Sequence, residues 1–427
     1  MSRLGPDERG ARSDEADARA LDVADPLSVL RERFRIPVAP NGSEAIYLAG
    51  QSLGLQPRTA AAALATELDT WATRGVDAWF DRERPWFTLA ETLRGSMARI
   101  VGARPVEVAL CNSLTVNLHL LLASFFRPTR RRRRILTEGP LFPSDRHALT
   151  THLAQRGLDP TVDLIVVEPR TCESLVRTMD LEAAIAEHAD DLALVFLSGV
   201  NFATGGAHDI ERLTAAGHAA GAVVGWDLAH AAGNIELELH DWDVDFAAWC
   251  TYKYLNGGPG SIGAMFVHER HARDRSLPRL GGWWGMDPDA RFDPEAPFAP
   301  ADGAAGWATS TPSILALAPV AASLAIFDEV GMRRLRARSV ALTGYLEALL
   351  DDLPVDVITP RAPTARGAQL SLRFASAEAI LATLAARGVV ADFRAPDIIR
   401  IAPVPLYNTY LDAWRLAEIL RQAIPPG

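Results

Sequence analysis

The sequence is almost devoid of lysine. Its 43 basic side chains are arginines except for Lys253, which lies in the segment WCTYKYLNGGPGSIGAMFV at residues 249–267. Arginine stays charged in proteins, with a pKa above about 12, whereas a desolvated lysine can lose its proton and attack a carbonyl carbon. A leftover surface lysine would be expected in a polar helix, but Lys253 lies between two tyrosines after an apolar segment. The pattern therefore indicates a nucleophilic amine at this position.

Other scarce features exclude whole classes of protein. The three cysteines form no CxxC pair, which suggests a reducing compartment. The longest apolar runs, such as LALVFL at 192–197, are too short to span a bilayer, and the first 30 residues contain no apolar stretch of a signal peptide. A net charge of −10 argues against nucleic acid as a partner. We therefore expect a cytoplasmic protein with neither a membrane nor a nucleic-acid partner.

One basic run interrupts this acidic background. Arg127 and the five arginines at 130–134 could form a patch for a phosphate backbone. No aromatic residues are interleaved through the run, and no wider basic field surrounds it. We therefore interpret the run as a solvated turn before a strand.

The length of the chain and the order of its apolar segments predict two domains. Strand-length runs at 163–168, 192–197 and 222–227 and a helical pattern at 208–221 predict a mostly parallel, twisted sheet covered by helices. This α/β domain is expected to span residues 26–312, with the segment near 26–60 packing on a smaller domain. Two long helices, strands near 355–360, 367–374 and 398–402, and a final helix predict that the smaller domain is α+β and spans 313–427. Residues 1–25 are charged and poor in large apolar groups, so we expect a disordered arm.

Polar residues follow the predicted strands, at the sheet edge where open α/β sheets bind ligands. Asp227 ends one strand, with His230 three residues further on, and Ser198 follows another strand. Asn112, Ser113 and Thr115 open an apolar helical segment, where free N–H groups favour a phosphate. Ordinary helix capping would explain this last group if it stood alone.

Together these residues predict pyridoxal 5′-phosphate (PLP) as the cofactor. PLP needs an imine-forming lysine, an anion site for its phosphate, and a carboxylate that keeps the pyridine nitrogen protonated. Phe142 in EGPLFPSDRH can stack on the ring, and Asp145 lies close behind it. No metal site is expected.

Several blocks resemble kynureninase, a fold-type I PLP-dependent hydrolase of tryptophan catabolism and the kynurenine pathway that leads to NAD biosynthesis. They are YLAGQSLGLQPR, NSLTVNLHLLLASFF, FPSD, WDLAHAAGNIELELHDWDVDFAAWCTYKYLNGGPG, LGGWWG and IRIAPVPLYN, and the similarity runs from about residue 45 to 425. The resemblance implies the fold-type I architecture and a homodimer with active sites at the subunit interface. It also implies cleavage of L-kynurenine between Cβ and Cγ to anthranilate and L-alanine.

The resemblance also implies roles for individual residues. Lys253 would form the imine with PLP, Asp227 would hold the pyridinium, and Tyr252 would donate to the phosphate. From the demands of the reaction itself, Tyr252 or a water near the phosphate is our candidate for moving protons in the late steps. The rest of the cofactor shell would be Leu114, Thr115, Phe142, Ser144, Asp145, Ser198 and His230, with Trp283 and Thr311 reaching in from the second subunit. Arg400 would grip the substrate α-carboxylate, and Trp79, Trp284 and Met286 would surround its aryl ring.

Rival interpretations of single motifs fail on context. GPGSIG at 258–263 fits GxGxxG but precedes a strand instead of opening a helix, so it does not indicate dinucleotide binding. HERH at 268–271 is one residue short of the HExxH zinc motif. A cysteine desulfurase or selenocysteine lyase would share the fold and the lysine, but needs a nucleophilic cysteine downstream, and none follows Cys250. A non-catalytic homologue would have no reason to keep the one lysine.

The substrate's ring is the open question. The usual GWFGH of the family is GWWGM here, with Met286 in place of a histidine, and the loop WATSTPSIL also departs from the commoner pattern. By resemblance to the family, Trp79 and Thr311 occupy the two positions at which enzymes that favour 3-hydroxykynurenine carry a histidine and an asparagine. We therefore expect a preference for unsubstituted kynurenine. A biosynthetic paralogue that cleaves 3-hydroxykynurenine or a ring-methylated kynurenine stays as the alternative.

Overall fold

A seven-stranded sheet forms the centre of the larger domain in a computed structural model, which describes residues 14–81, 83–272, 274 and 276–424. The helices are α1 Glu15–Ala24, α2 Ala60–Arg74, α3 Trp86–Thr92, α4 Arg94–Val101, α5 Leu114–Phe125, α6 Pro143–Gln155, α7 Pro160–Asp163, α8 Thr178–Glu187, α9 Ile210–Ala219, α10 Glu269–Ala272, α11 Ile314–Val330, α12 Met332–Leu350, α13 Ala377–Ala386 and α14 Tyr410–Ala423. The strands are β1 Phe34–Arg35, β2 Ile46–Tyr47, β3 Gln56–Pro57, β4 Val108–Leu110, β5 Arg134–Glu138, β6 Leu164–Val167, β7 Leu192–Ser198, β8 Val223–Asp227, β9 Phe246–Trp249, β10 Ala264–Val267, β11 Asp356–Val357, β12 Leu370–Arg373, β13 Val389–Val390, β14 Asp392–Arg394 and β15 Ile398–Ile401.

The large sheet is mostly parallel, as the sequence predicts. Its strand order is β4-β10-β9-β8-β7-β5-β6, and β10 runs antiparallel to both of its neighbours. The three strand-length runs noted above are β6, β7 and β8. Because helices cover both faces, β8 and β9 are almost entirely buried and consist mainly of apolar residues.

The register of the central strands places three polar residues at one edge. Ser198 at the end of β7 pairs with Asp227 at the end of β8, and Asp227 pairs with Ala248 on β9. Glu138 ends β5, which runs parallel to β7 on its other side. These carboxyl ends therefore bring Glu138, Ser198 and Asp227 side by side.

The smaller domain is built on an antiparallel sheet of order β11-β12-β15-β14. Its core joins residues of the sheet to apolar faces of α12, α13 and α14 and also includes Ile46 and Leu48. β2 pairs with β13, and Ala49 forms a bridge with Ala402. A segment from the beginning of the chain is therefore part of the small domain's packing.

The predicted boundary at residue 313 needs correction. Helix α11 packs against α2, and Leu317, Leu324 and Phe327 belong to the same core cluster as the central sheet. Leu335 of α12 joins that cluster as well, whereas Leu346 belongs to the core of the small domain. The change between domains therefore occurs within α12.

The predicted disordered arm is wrong for residues 14–24, whereas residues 1–13 lie outside the described residues. Asp14 and Asp17 form a capping box at the start of α1, and Ala18 is fully buried. The carboxylate of Asp22 accepts the backbone N–H groups of Tyr410 and Leu411 at the start of α14. The acidic residues that suggested disorder are used for helix capping.

The arginine run forms a turn before β5 that is neutralised by neighbouring acids. Arg131 pairs with Asp190 at 2.6 Å. Arg133 pairs with Asp163 at 3.0 Å, and Arg134 with Asp191 at 3.2 Å. Much of the local positive charge is therefore balanced within the fold.

Among the described helices, none is by itself both long and apolar enough to cross a membrane. The pair α11 and α12 would meet the same criterion together by length and composition, and the two helices meet at 84°.

Candidate active site

A cavity of about 240 Å³ opens at the carboxyl edge of the central sheet. Nine of the residues expected around a cofactor line it: Leu114, Thr115, Phe142, Ser144, Ser198, Asp227, His230, Tyr252 and Lys253. Ser113, Val200, Phe202 and Ala229 complete the wall. Residues from five separate segments therefore converge on one small space.

Lys253 lies on the loop that follows β9, with its side chain in this cavity. Its Nζ is 2.9 Å from Nε2 of His230, and Lys253 is only 8% exposed. Burial lowers the pKa of His230 well below its ordinary value, and the charge of Lys253 lowers it further. His230 is therefore a neutral imidazole that accepts a hydrogen bond from the amine.

Two buried carboxyls lie beneath the cavity. Burial raises the pKa of Asp145 well above its ordinary value, and the charge of Asp227 adds to the effect. Burial also raises the pKa of Asp227, but a hydrogen bond from Asp145 and the charge of Lys253 oppose the rise. Asp145 therefore holds the proton and Asp227 carries the negative charge, opposite the amine.

One end of the cavity lies at the beginnings of α5 and α6, where Leu114, Thr115 and Ser144 line it. Thr115 Oγ1 and Ser144 Oγ, each in the first turn of its helix, are 2.8 Å apart. A Cβ added to Gly263 would lie 3.2 Å from the backbone nitrogen of Leu114, so the loop after Lys253 packs closely on the start of α5. Free N–H groups and two helix dipoles favour an anion here.

The residues fit PLP. Among the described residues of the cavity wall, Nδ1 of His230 is buried without a hydrogen-bond partner from the protein. Buried polar groups normally have partners, so their absence at one cavity indicates that a ligand belongs there. An anion site, a charged carboxylate and an amine are also the groups that PLP requires.

Two residues that the sequence did not single out support this site. Glu138 accepts hydrogen bonds from the backbone N–H and the hydroxyl of Ser198 and from Nε2 of His208. Both Glu138 and His208 are buried. Burial alone would raise the pKa of Glu138 and lower that of His208, but their mutual attraction outweighs burial in both. They form an ion pair that fixes Ser198 at the cavity wall.

Arg400 lies next to the cavity without lining it. Its NH1 donates to the carbonyl oxygen of Phe202 at 2.6 Å, and the ring of Phe202 packs edge-on against Phe142 at 5.2 Å. Arg400 is 1% exposed. One residue, Phe202, therefore separates this guanidinium from the cavity in which we expect the cofactor.

The residues expected around the substrate ring do not line the cavity of the same chain. Trp79 packs against Trp86 and Trp284, with ring centroids 5.5 and 6.2 Å apart. Met286 is buried, Trp283 is 48% exposed, and Thr311 is exposed. Trp79, Trp283 and Trp284 belong to one aromatic cluster, outside the residues that line the cavity.

The HERH segment lies at the opposite edge of the sheet, beyond β10. His268, His240 and Glu107 bring ligand atoms within 4.8 Å of one another, so a metal ion is conceivable by distance. However, the backbone N–H groups of Arg104 and Glu269 donate to Glu107, and that of Arg270 donates to His268. These bonds occupy lone pairs that a metal would need.

The fold has close counterparts among solved structures. A C-DES variant with glycine covalently linked to its PLP cofactor superposes with a TM-score of 0.77 at 18% identity, covering 91% of this chain and 98% of that one. A cysteine desulfurase from Escherichia coli gives 0.75 at 18% identity, covering 93% and 98%. At this identity the likeness establishes the fold alone, that of fold-type I PLP enzymes.

Sequence comparison is more specific. A family model described as the kynureninase C-terminal domain matches residues 335–420. A kynureninase of Koribacter versatilis (strain Ellin345) is 52% identical over 402 residues, 93% of this chain and 95% of the relative. A kynureninase of Salinispora tropica is 51% identical over 422 residues, 96% of this chain and 97% of the relative. Because about half of its residues are identical to those of these relatives over nearly their full length, the chain belongs to the kynureninase family of PLP-dependent enzymes.

Proposed function

We propose that the protein hydrolyses L-kynurenine between Cβ and Cγ, giving anthranilate and L-alanine, with PLP bound in the cavity at Lys253. The observation that carries the proposal is the position of the chain's one lysine, whose amine faces a buried carboxylate and the starts of two helices in one cavity. Its relatives, identical at half of their positions over nearly the full chain, are named kynureninase.

The residues around the cavity would hold each part of the cofactor. Asp227 would pair with the protonated ring nitrogen, and Phe142 would lie against the ring. The backbone at Leu114 and the hydroxyl of Thr115 would bind the phosphate. When bound, PLP supplies an electron sink that stabilises negative charge developing on the substrate carbons.

Lys253 and Tyr252 are the residues proposed to move protons. With the substrate's amine in its place on the cofactor, Lys253 Nζ would lie free beside neutral His230 and would take the Cα proton. Water would add to the γ-carbonyl carbon and the Cβ–Cγ bond would break, so that anthranilate leaves. Cβ would take up a proton and Cα would regain the proton held by Lys253, which completes alanine. Burial raises the pKa of Tyr252, with a smaller contribution from Cys250, so its phenol stays protonated and can donate in this late step.

We further propose that two copies of the chain complete each site. Trp79, Trp283, Trp284, Met286 and Thr311 do not line the cavity of their own chain, and Trp283 and Thr311 are exposed. A second subunit could present these residues to the Lys253 cavity. A further apolar groove of Leu53, Leu64, Leu68 and Leu315 offers a surface for such a contact.

The cysteines argue against desulfurase chemistry. Burial raises the pKa of Cys111 to about 12 and also raises that of Cys250, so neither thiol is a ready nucleophile. Cys172 is exposed and is not among the residues that line the cavity. All three cysteines are free, as expected in the reducing cytoplasm that we propose as the location.

The experiment that tests the proposal is a product assay on the PLP-loaded enzyme. L-Kynurenine should yield anthranilate and alanine in equal amounts, and 3-hydroxykynurenine should be cleaved more slowly. L-Cysteine serves as the competing substrate. Formation of alanine from cysteine but not from kynurenine would reject the proposal in favour of a desulfurase.

A further inference from the structure

Asp392 and Arg400 form a cross-strand ion pair beside the cavity. They are register partners on β14 and β15, and Asp392 Oδ2 lies 2.6 Å from NH2 of Arg400. The side chains are 13% and 1% exposed, respectively. The guanidinium that we expect to bind the substrate's carboxylate thus already holds a carboxylate of its own chain.

The other hydrogen bonds of Arg400 show which groups a substrate carboxylate must displace. NH1 of Arg400 donates to the carbonyl oxygen of Phe202, and NH2 donates to Asp392 and, at 3.0 Å, to Oγ of Ser52. Nε is buried and has no acceptor among the described residues. Since both N–H groups of NH2 are used, a carboxylate gripped by Nε and NH2 together must take the place of Ser52 or Asp392.

The same contacts connect Arg400 to the lysine loop. Ser52 also bonds to Asp392 through its hydroxyl. Two residues later, the backbone N–H of Gly54 donates to the carbonyl oxygen of Tyr252 at 2.8 Å. The segment 52–54 therefore spans from the ion pair to the residue that precedes Lys253.

We propose that Asp392 is a positioning residue that occupies Arg400 in place of the substrate's α-carboxylate and yields to it when an α-amino acid binds. This inference rests on the assignment of Arg400 in the proposed function. A buried guanidinium without a counter-ion is costly, so the charge of Asp392 offsets that of Arg400 in the substrate-free site; NH2 of Arg394 lies 3.3 Å from the same carboxylate oxygen. The same negative charge competes with the incoming carboxylate and weakens its binding.

The test uses the PLP-loaded enzyme and two ligands that differ only in the carboxylate. L-Alanine and ethylamine are titrated against the cofactor's absorbance in the parent and in Asp392→Asn, which keeps the shape and removes the charge. Asp392→Asn should bind alanine about three- to tenfold more tightly, with unchanged affinity for ethylamine. Asp397→Asn, which removes an exposed partner of Arg373 from the same domain, is the control and should leave both affinities unchanged.

Three results would overturn the inference: equal or weaker binding of alanine by Asp392→Asn, an equal change for both ligands, or the same gain in Asp397→Asn. If the Asp392→Asn variant does not fold, Asp392→Ala is titrated in its place. Because neither ligand is kynurenine, the result is independent of kynurenine turnover. Failure of the proposed function would instead show as an absence of anthranilate from the parent enzyme.

Discussion

The amine of Lys253 lies 2.9 Å from Nε2 of His230, at the bottom of a cavity whose other wall carries Asp227. His230 is neutral because burial and the nearby positive charges lower its pKa. A neutral imidazole can accept a hydrogen bond from the amine of Lys253. The arrangement suits a lysine that alternates between holding a cofactor and acting as a base.

Lys253→Arg should be inactive although it keeps the positive charge. Its guanidinium neither forms the bond to the cofactor nor accepts the Cα proton. We expect kcat for kynurenine to fall at least about 10³-fold, which is within the range of rate losses expected when a general base and a nucleophile are removed. Arg373→Lys, at the partly exposed end of β12 and away from the cavity, serves as the control. Substantial turnover by Lys253→Arg would contradict the assignment.

Arg400→Lys should lower kcat/KM for kynurenine at least tenfold. A lysine cannot make the two parallel charge-assisted bonds of a guanidinium, and one decade corresponds to about 1.4 kcal/mol. The steady-state kinetics of Arg373→Lys, a conservative change in the same sheet, provide the matched control. Near-normal kcat/KM in Arg400→Lys would mean that another group binds the carboxylate.

The double variant Trp79→His/Thr311→Asn should shift preference toward 3-hydroxykynurenine. Trp79 offers an apolar face, and a buried hydroxyl without a partner costs about 1–3 kcal/mol, so the parent should favour kynurenine by one to two decades. The ratio of kcat/KM for the two substrates measures the shift. In the structure Trp79 packs between Trp86 and Trp284, so a purely structural role would lower stability and leave that ratio unchanged. Equal or better use of 3-hydroxykynurenine by the parent would reject this pocket assignment.

The stability conferred by His208 should depend on pH. Its pKa is raised in the folded protein by Glu138, against the effect of burial, so its contribution is complete below the unfolded value of about 6.5 and is lost as pH rises through the folded value. Glu138 has a lowered pKa, so its contribution is present above about 4.3 and is lost as pH falls through the folded value.

Thermal unfolding of the parent and His208→Gln measures this dependence. The Tm advantage of the parent should be largest near pH 5–6.5 and should shrink at higher pH. The absorbance of bound PLP reports separately whether Ser198 is still held in place. A Tm difference that stays constant from pH 5 to 9 would show that His208 acts by packing alone.

Several residues of the cavity wall could be predicted from the sequence because they follow the ends of strands. Ser198 and Asp227 each follow an apolar run, and parallel strands bring their carboxyl ends to one edge. The same rule applies to Glu138, which ends β5. The helical pattern at 208–221 includes His208, but α9 begins only at Ile210, so His208 is free to face Glu138.

Other relationships could not be read from the chain. Asp392 lies on a three-residue strand, and its register against Arg400 is set by the packing of the small domain. The acidic pattern of α1 looked disordered because its partner, the start of α14, is almost 400 residues away. We propose that a second subunit completes the site, so the placement of Trp79 and Thr311 relative to the substrate stays a prediction.

The most direct test of the account is to find which amine holds the cofactor. Borohydride treatment of the yellow, PLP-loaded enzyme fixes the cofactor covalently to that amine, and peptide mapping then locates it. Because the chain contains one lysine, the account predicts a single labelled peptide from the 249–267 segment, modified at Lys253, with loss of kynurenine cleavage. A label at the N-terminal amine, or full activity after reduction, would contradict it.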